Sequence, residues 1–133
     1  MKKILAGLLV TVAMMGTAIA SSNYKLSVSA ASAKVSAKSS ATITVVPTDG
    51  FKMNLEYPTK VTLNAPAGVS LEKAKLTAKD AKQLDAKAAI FDVAFTASEP
   101  GKKTITGEIK FAVCTENSCD PKSQQIAIDV DVQ

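Results

Sequence analysis

The sequence predicts an all-β fold, an immunoglobulin-like β-sandwich of about seven to eight short strands that follows a cleaved signal peptide. Two observations support the sandwich. Apolar and polar residues alternate with period two in several short runs, which is the pattern of half-buried strands. Turn signals rich in Pro, Gly and Asp separate these runs about every eight to twelve residues, a spacing typical of sandwiches. An eight-stranded barrel would give the same pattern and is the structural alternative.

The N-terminal residues 1–20 have the organisation of a secretory signal peptide. Two lysines precede an apolar run from Ile4 to Gly16, and Ala18-Ile19-Ala20 provides a small-x-small cleavage signal. The apolar run is shorter than the ~20 residues that a membrane-spanning helix needs. We therefore expect export to the periplasm, cleavage after Ala20, no membrane anchor after cleavage, and one mature domain over residues 21–133.

Composition and charge exclude several classes of function. The chain carries 16 Lys plus Arg and 12 Asp plus Glu, a formal net charge of +4. Loss of Lys2 and Lys3 with the signal peptide leaves 14 basic against 12 acidic residues, or +2. All basic residues are lysines, and His and Trp are absent. Because arginine forks and aromatic stacking usually recognise nucleic acids, we expect no nucleic-acid partner. Without histidine there is no serine triad, and we expect no cofactor.

The first half of the mature chain contains four alternating runs that predict strands. The segment from Ala30 to Ser40 is weaker and predicts a strand or a loop around Val35. Pro47-Thr48-Asp49-Gly50 predicts a turn. The four predicted strands are Tyr24 to Val28, Thr42 to Val46, Phe51 to Tyr57 and Val61 to Leu63.

The segment from Val69 to Lys87 differs from its neighbours because it is rich in Lys, Ala and Asp. Thr77 followed by Asp80 resembles a capping box. The pattern predicts a long connection with at most a short helical turn over Ala78 to Gln83. A charged surface loop without any helical turn is the alternative.

The last third of the chain predicts a strand followed by a long hairpin. Phe91 to Ala97 alternates in polarity, and Glu99-Pro100-Gly101 predicts the turn that follows. Ile105 to Val113 and Ile126 to Val132 then alternate again, as the two arms of a hairpin. The polar residues Thr-Glu-Asn-Ser between the cysteines predict its tip.

Cys114 and Cys119 are the two cysteines of the chain, and they flank the predicted tip. A hairpin that places them at facing positions brings their Cβ atoms to roughly 4.5–5.5 Å, near the separation that a disulfide needs. Exported proteins fold in an oxidising compartment where paired cysteines normally form disulfides. The sequence therefore predicts a Cys114–Cys119 disulfide.

Two roles for this disulfide remain open at the level of the residues. A structural link across so short a loop would stabilise the fold by roughly 2 kcal/mol. A redox-active pair would instead exchange with a partner. Strand parity places Cys114 on the side of Lys110 and Ala112, which predicts an outward disulfide that a thiolate can reach. Since no helix begins after Cys114, we expect a passive exchange partner. Two cysteines without histidine are too few ligands for structural zinc, so we expect no metal.

A longer motif adds a resemblance to a known family. The segment Gly107-Glu-Ile-Lys-Phe-Ala-Val-Cys-Thr-Glu-Asn-Ser-Cys-Asp-Pro121 resembles the N-terminal periplasmic domain of DsbD-type thiol:disulfide interchange proteins, which have a strand entering a cysteine, a short spacer, a second cysteine, a proline and a final strand. Asp49-Gly50-Phe51 and Pro66-Ala67-Gly68-Val69 are also similar to family features. The resemblance covers residues 40–132, and it implies an immunoglobulin-like sandwich.

The same resemblance implies a function and a set of residues. Family members receive electrons from a thioredoxin-like partner and pass them to other periplasmic thiol proteins. Carried over, Cys114 and Cys119 would be the catalytic redox pair of a protein-disulfide reductase-type component, and a thioredoxin-like periplasmic protein would be the partner. The alternative is a non-enzymatic binding or structural module with an inert disulfide. In both cases we expect a monomer.

Overall fold

The computed structural model describes residues 18–20, 23–29 and 32–133 of the chain. Strands make up most of the described residues, and they form two six-stranded sheets. The described residues contain no α-helix, and their one helical element is a 3₁₀ turn at Ala78–Asp80. The prediction of an all-β, immunoglobulin-like sandwich is confirmed. The strands belong to two separate sheets, so the barrel alternative is not the fold.

The first sheet is built around two ten-residue strands that pair along most of their length. Its spatial order is β1-β2-β4-β10-β7, and β9 also pairs with β10. All of its pairs are antiparallel. Its strands are β1 (Ala18–Ala20), β2 (Tyr24–Ser29), β4 (Lys38–Pro47), β7 (Val69–Leu71), β9 (Gln83–Asp85) and β10 (Ala88–Ala97).

The second sheet is built around the predicted hairpin. Its spatial order is β3-β12-β11-β6-β8, and β5 also pairs with β11. The β3–β12 pair is parallel and the other pairs are antiparallel. Its strands are β3 (Ser32–Ala33), β5 (Lys52–Met53), β6 (Lys60–Asn64), β8 (Lys75–Leu76), β11 (Gly101–Cys114) and β12 (Cys119–Val132).

The two arms of the β11–β12 hairpin pair with each other along their whole length. Its register is unbroken from the Gly101–Val132 pair to the Cys114–Cys119 pair. Because side chains alternate between faces, the period-two pattern of both arms buries one face of the hairpin. β6 and β5 pair with the other edge of β11.

The core lies between the two sheets and is formed by the inward residues of each alternating strand. Tyr24 of the first sheet packs edge-on against Phe111 of the second, with ring centroids 4.9 Å apart. Gly107 leaves room for the backbone of β6, because an added Cβ would overlap the carbonyl oxygen of Thr62. The largest fully buried side chains are Phe91, Phe95, Phe111, Leu26, Ile43, Ile105, Ile109 and Ile128.

The segment from Val69 to Lys87 contains more strands than the connection that the sequence predicted. It contributes β7, β8 and β9, which are short strands at the sheet edges. The capping pair is present, since the Thr77 backbone N–H donates to Asp80 Oδ2 at 2.9 Å. The helical turn ends at Asp80 instead of Gln83, which begins β9. Such short edge pairings raise the number of strand segments above the predicted seven to eight.

The predicted strand from Phe51 to Tyr57 is largely wrong. Only Lys52–Met53 pairs with β11, and Leu55 is 55% exposed. The chain leaves the sheet because the Asn54 side-chain carbonyl accepts the backbone N–H of Glu56 at 2.9 Å, which closes a local turn.

The weak segment from Ala30 to Ser40 divides into two strands and a turn. Residues 30–31 lie outside the described part of the chain. β3 follows, and β4 begins at Lys38. Between them Ser36 has a φ of 64°, a left-handed conformation that reverses the chain. The sequence predicted a strand or a loop around Val35, and Val35 lies in a turn.

Most of the predicted signal peptide, residues 1–17, lies outside the described residues. Its last three residues form β1, in which Ile19 pairs with Leu26 of β2. Cleavage after Ala20 and export stay predictions. In the part of the chain that is described, no helix has the length and apolar content to cross a membrane.

Candidate functional site: the disulfide at the hairpin end

The structure joins Cys114 and Cys119 in a disulfide, as the sequence predicts, with an S–S distance of 2.03 Å. The two residues are the last facing pair of the hairpin, and their Cα atoms are 4.0 Å apart. In the next pair, the Thr115 N–H donates to Ser118 O at 2.7 Å. Hydrogen-bonded and non-hydrogen-bonded residue pairs alternate along antiparallel strands. The cysteines therefore occupy a non-hydrogen-bonded pair, in which the two Cα atoms lie closer together.

The four residues between the cysteines form a turn closed by their own polar groups. Thr115 Oγ1 accepts the backbone N–H of Asn117 at 3.3 Å and that of Ser118 at 3.2 Å. These bonds satisfy donors that the ladder no longer reaches. The tip therefore holds its shape independently of the sulfur–sulfur bond.

The two sulfur-bearing residues differ in exposure. Cys119 is exposed, whereas Cys114 is only 6% exposed. The expectation of an exposed Cys114 that an incoming thiolate can reach is therefore wrong, and Ala112, two residues earlier in β11, is buried as well. Lys110, further from the hairpin end, is exposed as predicted.

The burial of Cys114 has its cause in β5 and the residues that follow it. Lys52 of β5 pairs directly with Cys114, and the Asn54 N–H donates to Ala112 O at 2.9 Å. β5 is itself held from the other sheet, because the Met53 N–H donates to Ala86 O at 2.9 Å. The chain thus lies against the end of β11 and leaves Cys119 open.

Asn54 also contacts the open sulfur. Its side-chain Nδ2 lies 3.7 Å from Cys119 Sγ and donates to it. Its Oδ1 accepts the backbone N–H of Glu56. Because Oδ1 is already engaged, the amide is oriented with its N–H groups towards the sulfur.

The residue after Cys119 carries the nearest negative charge along the chain. Asp120 Oδ2 lies 2.8 Å from Lys122 Nζ and accepts the side-chain N–H of Asn23 at 2.9 Å. The hydrogen bond from Lys122 lowers the pKa of Asp120 most; partial burial opposes it, and the bond from Asn23 lowers it further. Asp120 is therefore an anion at neutral pH, and Lys122 compensates its charge.

Sequence reasoning found both cysteines but missed Asn54 and Asn23. These residues reach the hairpin end from 65 and 97 positions away in sequence, and no local pattern signals such contacts. Among the described residues, no group of three or more His, Cys, Asp or Glu side chains is placed to hold a metal ion.

No protein-family model and no curated protein matches this chain. Solved structures with a similar fold share little sequence with it. The GAE domain of GGA2p from Saccharomyces cerevisiae has a TM-score of 0.53 at 7% identity, with 85% of this chain and 96% of that chain covered. AggA, the major subunit of aggregative adherence fimbriae type I from Escherichia coli, has a TM-score of 0.44 at 11% identity, with 83% and 94% covered.

A third similar structure is the N-terminal periplasmic domain of ScsB from Proteus mirabilis. Its TM-score is 0.51 at 12% identity, with 82% of this chain and 47% of that chain covered. This chain thus spans about half the length of that one. This likeness agrees with the immunoglobulin-like sandwich that the sequence predicts. At this identity it shows the fold alone.

Proposed function

We propose that this chain is a periplasmic thiol–disulfide exchange domain whose Cys114–Cys119 disulfide is reduced by a thioredoxin-like protein. The observation that supports this proposal is the unequal exposure of the two bonded cysteines, with Cys119 exposed and Cys114 buried. Exchange begins with attack of an external thiolate on one sulfur of a disulfide. An exposed sulfur at the end of a hairpin permits that approach.

The exchange takes place in two balanced steps. A partner thiolate attacks Cys119 Sγ, which forms a mixed disulfide and releases Cys114 as a thiolate that takes up a proton. The second thiol of the partner, as its thiolate, then attacks the partner's own sulfur in the mixed disulfide and releases Cys119 as a thiolate, which is protonated. In sum two electrons and two protons pass from the partner dithiol to this chain, and the partner leaves as a disulfide.

The buried position of Cys114 has a role in this scheme. Because Cys114 is 6% exposed, a protein-sized partner reaches Cys119 first, and the order of attack is set by access. The sulfur of Cys114 stays at its register position opposite Cys119 after reduction, since the backbone ladder of the hairpin holds both residues. The reduced pair is thus positioned to pass its electrons on.

The second candidate is a structural or binding module with an inert disulfide. The observation that favours it is the protection of Cys114 together with the self-contained turn at the tip. For this candidate, the disulfide acts as a structural link across the hairpin and does not exchange with a partner. Both candidates predict the same fold, so they differ only in the chemistry of the sulfurs.

The reduction potential of the Cys114–Cys119 pair separates the two candidates. Structural disulfides lie below about −300 mV, whereas exchange-active ones lie above that value. Equilibration of the purified domain with glutathione or thioredoxin buffers measures the potential. We expect a value above about −300 mV, and a value well below it would leave the structural module as the function.

Trapping with single-cysteine variants tests the order of attack. Cys114→Ala leaves the exposed Cys119, and Cys119→Ala leaves the buried Cys114. The single thiol of each variant is first activated as a mixed disulfide with a small aromatic thiol. The activated variant is then mixed with a thioredoxin-like protein that lacks its resolving cysteine. We expect efficient coupling through Cys119 and weak coupling through Cys114. Equal coupling at both would refute the access argument, and no coupling at either would refute the exchange function.

Export is a separate part of the proposal. The basic start, the apolar run from Ile4 to Gly16 and the Ala18-Ile19-Ala20 signal support it. Cell fractionation with N-terminal sequencing of the mature protein is the test. We expect periplasmic protein that begins at Ser21, and a cytoplasmic protein with an intact N-terminus would contradict it.

A further inference from the structure

We propose that Asn54 is a further catalytic residue of this site: its side-chain amide donates a hydrogen bond to Cys119 Sγ and stabilises the Cys119 thiolate. The inference rests on the proposed exchange function. Its evidence is the 3.7 Å contact between Asn54 Nδ2 and Cys119 Sγ, which joins residues 65 positions apart.

The Asn54 amide is held in place by contacts that do not involve sulfur. Its backbone N–H donates to Ala112 O at 2.9 Å, and its Oδ1 accepts the Glu56 N–H at 2.9 Å. The preceding Met53 is buried and is hydrogen-bonded to Ala86. Because none of these bonds depends on the disulfide, the amide stays in position when the disulfide opens.

A neutral donor at this position favours the charged form of the sulfur. A hydrogen bond to the ionised form of a group lowers the pKa of an acid, and hydrogen bonds that involve charge are stronger than neutral ones. The Cys119 thiolate is the leaving group of the second exchange step and the attacking group when electrons move onward. A leaving thiol with a lower pKa departs faster. Asn54 therefore accelerates the step that releases the partner.

Charged side chains lie on every segment around Cys119, and they affect the pKa of its thiol in addition to Asn54. They are Lys52 of β5, Glu56 after it, Lys110 of β11, Glu116 of the tip, and Asp120 and Lys122 of β12. Asp120 is compensated by Lys122 at 2.8 Å. None of these charges is removed when Asn54 is replaced by alanine, although that substitution also removes the acceptor of the Glu56 N–H.

The pKa of the Cys119 thiol tests the inference directly. In the full chain carrying Cys114→Ala, Cys119 is the single thiol, and the ultraviolet absorbance of its thiolate gives the pKa. We expect Asn54→Ala to raise this pKa by about 0.5 to 1, which is about three to ten times less thiolate at neutral pH. We expect Asn54→Asp to raise it further, because its carboxylate still accepts the Glu56 N–H but repels the thiolate.

Two comparisons keep this result interpretable. Asn64→Ala removes an exposed amide at the end of β6 and should leave the pKa unchanged. Asn54→Asp retains the turn acceptor, so it still reports if Asn54→Ala does not fold.

The outcomes separate this inference from the exchange function. An unchanged pKa in Asn54→Ala would overturn the inference whatever Asn54→Asp shows, because the new carboxylate raises the pKa by repulsion alone; the reduction potential could still support exchange. A raised pKa together with a reduction potential in the range of structural disulfides would overturn the catalytic role as well, because the disulfide would be inert.

Discussion

Removal of the sulfur–sulfur bond should weaken the domain without unfolding it. The cysteines are five residues apart in sequence, so the bond closes a very short loop. The chain-entropy relation for a loop of this size gives a loss of about 2 kcal/mol. Small domains are stable by about 5–15 kcal/mol, and the core and the hairpin ladder are independent of the sulfurs. The reduced domain should therefore stay folded at 25 °C.

Urea unfolding followed by far-ultraviolet circular dichroism measures this loss. Since the urea slope is about 1–3 kcal/mol/M for small domains, a loss of about 2 kcal/mol lowers the midpoint by about 1 M. The oxidised domain is compared with the same domain in a phosphine reductant. The Cys114→Ala/Cys119→Ala variant, measured with and without reductant, controls for other effects of the reductant.

Two results would refute this reasoning. A reduced domain that is unfolded without urea would show that the disulfide is required for the fold, and an exchange cycle through a folded reduced state would then be excluded. An unchanged midpoint would show that the hairpin tip is already closed in the unfolded chain.

The remaining predictions concern packing and charge. Gly107→Ala should destabilise the domain by about 1–3 kcal/mol or more, because the new methyl overlaps the Thr62 carbonyl oxygen of a paired strand; a urea midpoint equal to that of wild type would contradict this. Phe91→Ala should cost about 3–5 kcal/mol, since Phe91 is fully buried, and calorimetry should show the lower melting temperature. The pKa of Asp120 is lowered by Lys122, so its stabilisation is present above the ordinary Asp pKa of about 3.9 and is lost as the pH falls through the lower folded value. Asp120→Asn should therefore be less stable than wild type at pH 7, with the difference gone near pH 2; a difference that persists in acid would refute the charge argument.

The sequence predicted the parts of the fold that depend on local alternation. The hairpin and the strand at Ala88–Ala97 follow directly from period-two patterns whose inward residues are buried. The disulfide follows from facing positions on that hairpin. Edge strands of two or three residues could not be predicted, because they form by pairing with a neighbour and carry no alternation of their own.

The sequence predicted which two cysteines form the site, but it did not predict the residues that surround them. Parity along β11 places Cys114 outward, and this holds for Lys110. It does not predict the low exposure of Cys114, because β5 arrives from a distant part of the chain and pairs with the edge of β11 at that position. The same arrival brings Asn54 to the sulfur. Pairing of a remote segment with the edge of a strand is a tertiary effect that strand parity does not include.

The facing positions of the two cysteines in the hairpin affect how long a small molecule stays bound to one of them as a mixed disulfide. Once the bond is opened, the two thiols remain neighbours at a very high effective concentration, because the ladder of β11 and β12 fixes them face to face. A small-molecule cap on Cys119, such as glutathione, is then displaced from within the same molecule faster than by a second reductant. The products expected from this displacement are the Cys114–Cys119 disulfide and free glutathione.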